Sequence, residues 1–209
     1  MENKKKTFKI MNFKFILILF CVLVCIIFAI IYIKNLYKDD YSSQAIEEIK
    51  SIASYKASVD IVVKNSKQEI VCSGKEIYDT NRGGKLLLEK NTYFFNGNSL
   101  SVKDANGMEY TSEEKADVYR FCFLQEYMKY FYLEGEMHAE PLEYRGRKCD
   151  MISFELAGNN KNIHWASIYY DLDRSVPLEI KVYNEDNKEV MYIMFKEFMK
   201  NIDINDEEL

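Results

Sequence analysis

Ile163-His164-Trp165-Ala166-Ser167-Ile168-Tyr169-Tyr170-Asp171, a turn from Leu172 to Val176, Pro177-Leu178-Glu179-Ile180-Lys181-Val182-Tyr183, a polar turn from Asn184 to Lys188, and Val190-Met191-Tyr192-Ile193-Met194-Phe195-Lys196-Glu197-Phe198 together decide the fold. They read as three strands of an antiparallel meander. In the middle strand Leu178, Ile180 and Val182 alternate with Glu179 and Lys181, the period-2 mark of a sheet with one wet face. Pro177 stands at the strand start, where its missing N–H costs no ladder bond.

Upstream, the same pattern recurs. Tyr55 to Val63 sets Ala57, Val59 and Ile61 against Ser58, Asp60 and Val62. Asn65-Ser66 turns the chain and Gln68 to Tyr78 returns. Arg82-Gly83-Gly84 turns again into Lys85 to Lys90, followed by Tyr93-Phe94-Phe95. Asn96-Gly97-Asn98 is a hairpin signal, because Asn and Gly tolerate the positive φ of tight turns. Leu100 to Val102 and a second turn at Asn106-Gly107 continue the meander. After Gly135 the strands resume, with Ala139 to Tyr144 and Lys148 to Leu156 around Arg145-Gly146.

Two helices are expected in this domain. Tyr41 to Ser54 has a rough apolar stripe of Ile46, Ile49, Ile52 and Ala53, with Ser42 or Ser43 as cap. Thr111 and Glu114 have capping-box spacing, which predicts a helix from Ser112 to Leu133. Its second half, including Phe121, Leu124, Met128 and Phe131, is apolar nearly all round and needs cover on several sides. It would lie in the concavity of a curved sheet. There these four residues either fill the space or line a pocket for an acyl chain.

At the N-terminus, Phe15 to Ile33 is uncharged over 19 residues, with Lys4, Lys5, Lys6, Lys9 and Lys14 before it. At 1.5 Å per residue the run spans about 28 Å, near the thickness of a hydrocarbon core. The basic flank assigns residues 1–14 to the cytoplasm, 15–33 to a transmembrane anchor or uncleaved signal, and 34–43 to a juxtamembrane linker. The domain at 44–205 and the acidic tail at 206–209 then lie outside the cytoplasm, the tail frayed from Asp203. The competing reading is lipidation at Cys25, although Val22-Leu23-Val24 is a poor lipobox.

Composition narrows the function classes. The first 38 residues carry seven Lys and one Glu; the remainder carries 21 Lys or Arg against 32 Asp or Glu, a balance of −11. So acidic a domain is a poor ligand for nucleic acid or anionic headgroups. Cys72, Cys122 and Cys149 are odd in number and lack metal-ligand spacing, which leaves either one disulfide with a free thiol or three buried apolar thiols. His138 and His164 are too few for a metal centre. There is no G-x-S-x-G or H-E-x-x-H. Asn81-Arg82-Gly83-Gly84-Lys85 joins two strands and lacks P-loop spacing, so it reads as a turn. The residues point to no enzyme, cofactor or metal.

Tyr169 to Tyr183, in which a strand ends in Asp, a short turn meets a Pro, and the next strand runs to a polar hairpin, resembles the LolA superfamily. The aromatic strand and turn at Tyr93-Phe94-Phe95-Asn96-Gly97-Asn98 match it too, and the likeness covers residues 44–205. It implies an α+β half-barrel: a curved antiparallel sheet with a helix in or over its concave face. Within that superfamily the Lys-rich start, single anchor and Tyr/Phe-rich strands resemble the germination lipoprotein GerS-related family. What that resemblance implies is a non-enzymatic spore protein on a forespore membrane. Such a protein assists a cell-wall amidase of the CwlD type in making the muramic-δ-lactam of the spore cortex. Its binding surface would be a sheet edge or aromatic patch, with homodimerisation by the same route. Two rival functions remain, a carrier or sensor of lipid or lipoprotein and an envelope-stress regulatory domain. The first check is intact mass: the anchor reading predicts the full-length chain without an acyl group, and an acylated, shortened chain beginning at Cys25 would replace it.

Overall fold

The computed structural model describes residues 20, 22–32, 44–96, 99–112, 118–132, 137–158 and 160–209. The chain divides into two units, Met1–Tyr41 and Ser42–Leu209. In the first, 22–32 is helical and carries Cys25 as an exposed free thiol. Among the described residues no helix is long and apolar enough to cross a membrane; the rest of the expected 15–33 anchor, with 1–14 and 34–43, lies outside them.

Among the described residues the second unit is built on one eleven-stranded sheet. In chain order its strands are β1 (Ser54–Lys64), β2 (Glu69–Asp79), β3 (Gly83–Leu88), β4 (Asn91–Phe95), β5 (Leu100–Asp104), β6 (Glu109–Ser112), β7 (Met137–Tyr144), β8 (Arg147–Glu155), β9 (Trp165–Asp171), β10 (Val176–Tyr183) and β11 (Glu189–Lys200). Their order across the sheet is β6-β5-β4-β3-β2-β1-β11-β10-β9-β8-β7, and every neighbouring pair is antiparallel. The two meanders are joined by β1 against β11, the first strand of the sheet beside the last. The sheet is curved and does not close, which fits the half-barrel expected.

Register explains which face is dry. Ala57 opposes Glu76, Val59 opposes both Gly74 and Phe195, and Ile61 opposes Cys72 and Ile193, so these side chains share one face. Leu86, Tyr93, Val102, Ile152, Ile168, Ile180 and Met191 continue it across the sheet, all buried. Two helical segments cover this face. The first, α1 at 44–50, buries Ala45 and Ile49, and Ile52 follows in the turn after it. The expected cap at Ser42 or Ser43 lies outside the described residues. The Tyr170 hydroxyl donates to Glu48 Oε2 (2.7 Å) and Lys200 Nζ to the same oxygen (3.3 Å), fastening α1 to β9 and β11.

The second cover departs from the expected helix over Ser112–Leu133. Thr111 is in strand β6, opposite Ser101, so it caps nothing. A 3-10 turn at Val118–Cys122, a short helix α2 at Leu124–Met128 and a second 3-10 turn at Lys129–Tyr132 replace the continuous helix. Phe123, between the first two, is extended (φ −90°, ψ 126°). The segment is rich in large apolar side chains, and most of them are buried. The break at Phe123 lets successive rings turn down onto the sheet. Phe123 is fully buried, and its ring lies 2.9 Å from where a Cβ on Gly84 would stand. Only glycine permits that approach.

Three further readings are corrected. The alternation in β10 is interrupted at Leu178: Pro177 opposes Tyr170 and Glu179 opposes Tyr169, so Leu178 is a bulge and Pro177 and Glu179 are buried instead. The tail is not frayed, because cations meet it: Arg82 Nη2 donates to the Ile204 carbonyl (2.6 Å), and Lys56 pairs with Glu208 (2.5 Å). Cys72 and Cys149 are free thiols, and Cys122 and Cys149 are buried, which leaves no pair among these three for the disulfide alternative.

Truncating Phe123→Ala should cost about 3–5 kcal/mol, because the ring's burial and its cavity are both lost. Exposed Tyr132→Ala should stay within about 0.5 kcal/mol of the parent. Urea denaturation of both variants checks this, and equal midpoints would contradict the packing described.

Candidate functional site

Two surfaces could carry function: the concave face beneath the helical segments, and the sheet edges. The concave face centres on Glu76. Its partner in register is Ala57, so a carboxyl group points into the apolar side of the sheet with no exposure to solvent. The Tyr55 hydroxyl donates to Oε1, and the Leu124 N–H reaches the same oxygen at 3.3 Å. Leu124 opens α2, and Phe123 before it supplies no side-chain cap. Glu76 thus does from the sheet what an N-cap residue does from within a chain, satisfying an orphan N–H of the helix. Burial pushes its carboxyl up to about 8, against the opposing pull of those two hydrogen bonds. Among the described residues its second oxygen has no hydrogen-bond partner.

The segment is fastened further by charge. Glu126, also buried, is held at Oε2 by Arg120 Nε and Lys129 Nζ, each at 2.6 Å. One carboxylate thereby ties both 3-10 turns to α2. The Tyr127 hydroxyl donates to the Phe121 carbonyl (2.5 Å), and Tyr130 and Phe131 pack on Phe154 with centroids 5.3 and 5.7 Å apart. Of the four residues expected on this helix, Leu124, Met128 and Phe131 are buried core and Phe121 is half-buried against it. They lie together in or against the core cluster on the concave face.

The edges differ from each other. β7 carries Pro141, which withholds an N–H, with Glu140 and Glu143 beside it, the devices that keep an edge from pairing. β6 has no Pro, and Glu109 is its one charged residue. Tyr110 opposes Val102 on the concave face yet is 56% exposed, and Met108 just before the strand is 65% exposed. β6 is therefore a short edge with an aromatic side chain presented beside the apolar face. Such an edge suits main-chain pairing with an extended segment of another protein.

Sequence reasoning missed both Glu76 and Tyr110, and both had a signal. Glu76 falls on the inward parity of β2 set by Cys72, Gly74 and Tyr78. Tyr110 follows an Asn-Gly turn that requires a return strand beside Leu100 to Lys103, a demand obscured by the capping-box spacing. Among the described residues no group of His, Cys, Asp and Glu could hold a metal ion.

The buried acids give stability a defined pH dependence. Asp150, 1% exposed, is pushed up to about 6 by burial. For Glu76 and Asp150 the folded protein holds protons that the unfolded chain releases, so stability falls as pH rises from about 4.5 through 8. Glu48 has the opposite sign. Burial works to raise it, but hydrogen bonds led by that of Tyr170 bring it down to about 2, so its contribution is lost on acidification below about 4.5. Thermal melting should therefore be highest near pH 5. Glu76→Gln should raise stability by a few kcal/mol at pH 8 and by little at pH 4.5. A parent curve that climbs from pH 5 to 8 would contradict the protonated, buried Glu76.

Comparison with known proteins follows from this geometry. A family model described as "Sporulation protein YdcC-like" matches residues 14–209. No curated protein matches the chain. Among solved structures, an uncharacterized conserved protein from Thermus thermophilus is similar at 8% identity with a TM-score of 0.53, over 80% of this chain and 92% of that one. A LolA superfamily protein from Nitrosomonas europaea aligns at 8% identity and a TM-score of 0.41, over 79% and 96%. A chain in the structure of the CwlD amidase from Clostridioides difficile in complex with the GerS lipoprotein aligns at 15% identity and a TM-score of 0.39, over 82% and 94%. The first of these shows a shared fold; none bears on activity.

Proposed function

The chain belongs to the family of YdcC-like sporulation proteins, and on that premise we propose that it is a non-enzymatic, membrane-held binding protein of the developing spore. Its β-rich domain stands outside the cytoplasm at a forespore membrane. There it binds and assists a cortex-modifying N-acetylmuramoyl-L-alanine amidase of the CwlD type, which the muramic-δ-lactam of the cortex and hence germination require. The observation that carries a binding role is the β6 edge: short, without Pro, ending the apolar face, and presenting Tyr110. The burial of Leu124, Met128 and Phe131 in the core also favours a surface over a carried ligand. The uncharged run with its basic flank supports the membrane attachment. The amidase partner rests on the resemblance of Tyr169 to Tyr183 to the GerS-related family.

The test is capture. Full-length chain in mild detergent, used as bait in sporulating-cell extract, should retain a cell-wall amidase. Tyr110→Asp should reduce that retention at least tenfold while leaving the melting temperature unchanged, because the side chain is largely in water. Retention of no amidase by the parent chain would remove the proposed partner, and equal retention by the variant would remove the edge.

A further inference from the structure

The sheet forks on its outer face, at a place the β6 edge does not touch. The ladder between β10 and β11 extends from Tyr183↔Glu189 only as far as Glu179↔Met194. Beyond it, 176–178 stay with β9 while 195–200 stay with β1. Each strand carries a bulge at the fork: Leu178 in β10, and Glu197 with Phe198 opposite the single residue Ala57 in β11. Two strands that should pair instead open a cleft of about 520 Å³.

The lining of this cleft runs against the charge of the domain. Arg145, Arg147, Arg174 and Lys196 border it, with Leu178 and Phe198 among its apolar walls. The carboxylates there are Glu179 and Glu197, in a domain whose overall balance is strongly acidic. Glu179 is already spent: buried, it accepts from the Tyr144 hydroxyl (2.9 Å) and pairs with Arg145 (2.9 Å). Arg147 is held by Asp171 (3.0 Å), and Lys196 is paired with Asp60. Arg174 is exposed, and among the described residues its guanidinium has no carboxylate within salt-bridge distance.

The backbone is bent to keep these groups in place. Arg145 (φ 52°), Ser175 (φ 54°) and Glu197 (φ 50°) all adopt left-handed conformations that side chains other than Gly and Asn rarely take. At Arg145-Gly146 both turn residues have positive φ, a turn for which Asn-Gly is the ordinary choice. An Arg there costs stability and places a cation over the Tyr144 ring, 5.3 Å from its centroid, at the cleft.

We propose that this cleft receives a short, extended, acidic segment of a partner protein, with carboxylates on Arg174 and its neighbours and apolar side chains against Leu178 and Phe198. The length of open strand on both sides suits an extended backbone, and Arg presents a fork that matches a carboxylate in two-point contact. This goes beyond the β6 edge and does not depend on the amidase reading.

The experiment uses full-length chain in detergent and a fluorescein-labelled short peptide of alternating Asp and Leu, read by fluorescence anisotropy. Binding is expected, weakening with added salt, and no binding is expected for the Lys–Leu counterpart. Arg174→Glu should weaken the affinity at least tenfold and Arg174→Ala by less. Lys67→Glu, an exposed reversal in the β1–β2 turn, should leave it unchanged. The proposal is overturned if the acidic peptide does not bind, if Arg174→Glu binds as tightly as the parent, or if Lys67→Glu loses as much. It is also overturned if inorganic phosphate displaces the peptide at equal concentration, which would make the cleft a bare anion site. Amidase capture unaffected by Arg174→Glu leaves the β6 reading intact. Peptide binding without amidase capture leaves the cleft intact and removes the partner.

Discussion

An antiparallel sheet of eleven strands that does not close has one apolar face and, among the described residues, no second sheet to bury it. That constraint governs the structure. The cover must come from the same chain, and two short segments supply it: α1 on β9 and β11, and the broken helical segment 118–132 over the β2–β3 region. Neither is long enough to be stable alone. Each is fixed to the sheet by a polar contact with a carboxyl group. In α1 the carboxylate belongs to the helix and the donors to the sheet. In the second segment the carboxyl group, Glu76, belongs to the sheet and the N–H to the helix.

These two anchors differ in electrostatic character. Glu48 stays ionised because donors converge on it, whereas Glu76 is protonated near neutral pH because burial outweighs its two donors. A buried neutral acid is a costly way to cap a helix, since a polar group without full hydrogen bonding is expensive in an apolar core. It persists where the orphan N–H of Leu124 would otherwise be buried without a partner.

How far the sequence revealed this varied with the physics of each element. Strands were legible because register fixes parity. Val59, Ile61, Ile168 and Val182 each declare their face, and the turns at Arg82-Gly83-Gly84, Arg145-Gly146 and Asn106-Gly107 declare where strands end. The helical segment was legible in position and apolarity but not in shape. Its break at Phe123 depends on Gly84 and Glu76, which are distant in sequence. The bulge at Leu178 was hidden for the same reason: a one-residue slip in β10 is set by Tyr169 and Tyr170 across the ladder, not by anything adjacent. Of the candidate surfaces, the edge residue Tyr110 was within reach of turn logic. The cleft at the fork was not, because it exists only where two bulges on separate strands coincide.

The central claim is the proposed one, that this domain acts by binding a protein at its surface, with Leu124, Met128 and Phe131 serving as core. Native mass spectrometry of the full-length chain, extracted with its companions from sporulating membranes, addresses it directly. The account predicts a protein partner in defined stoichiometry and no acyl lipid retained once detergent is stripped. One lipid per chain, persisting through detergent removal in the absence of any protein partner, would contradict it.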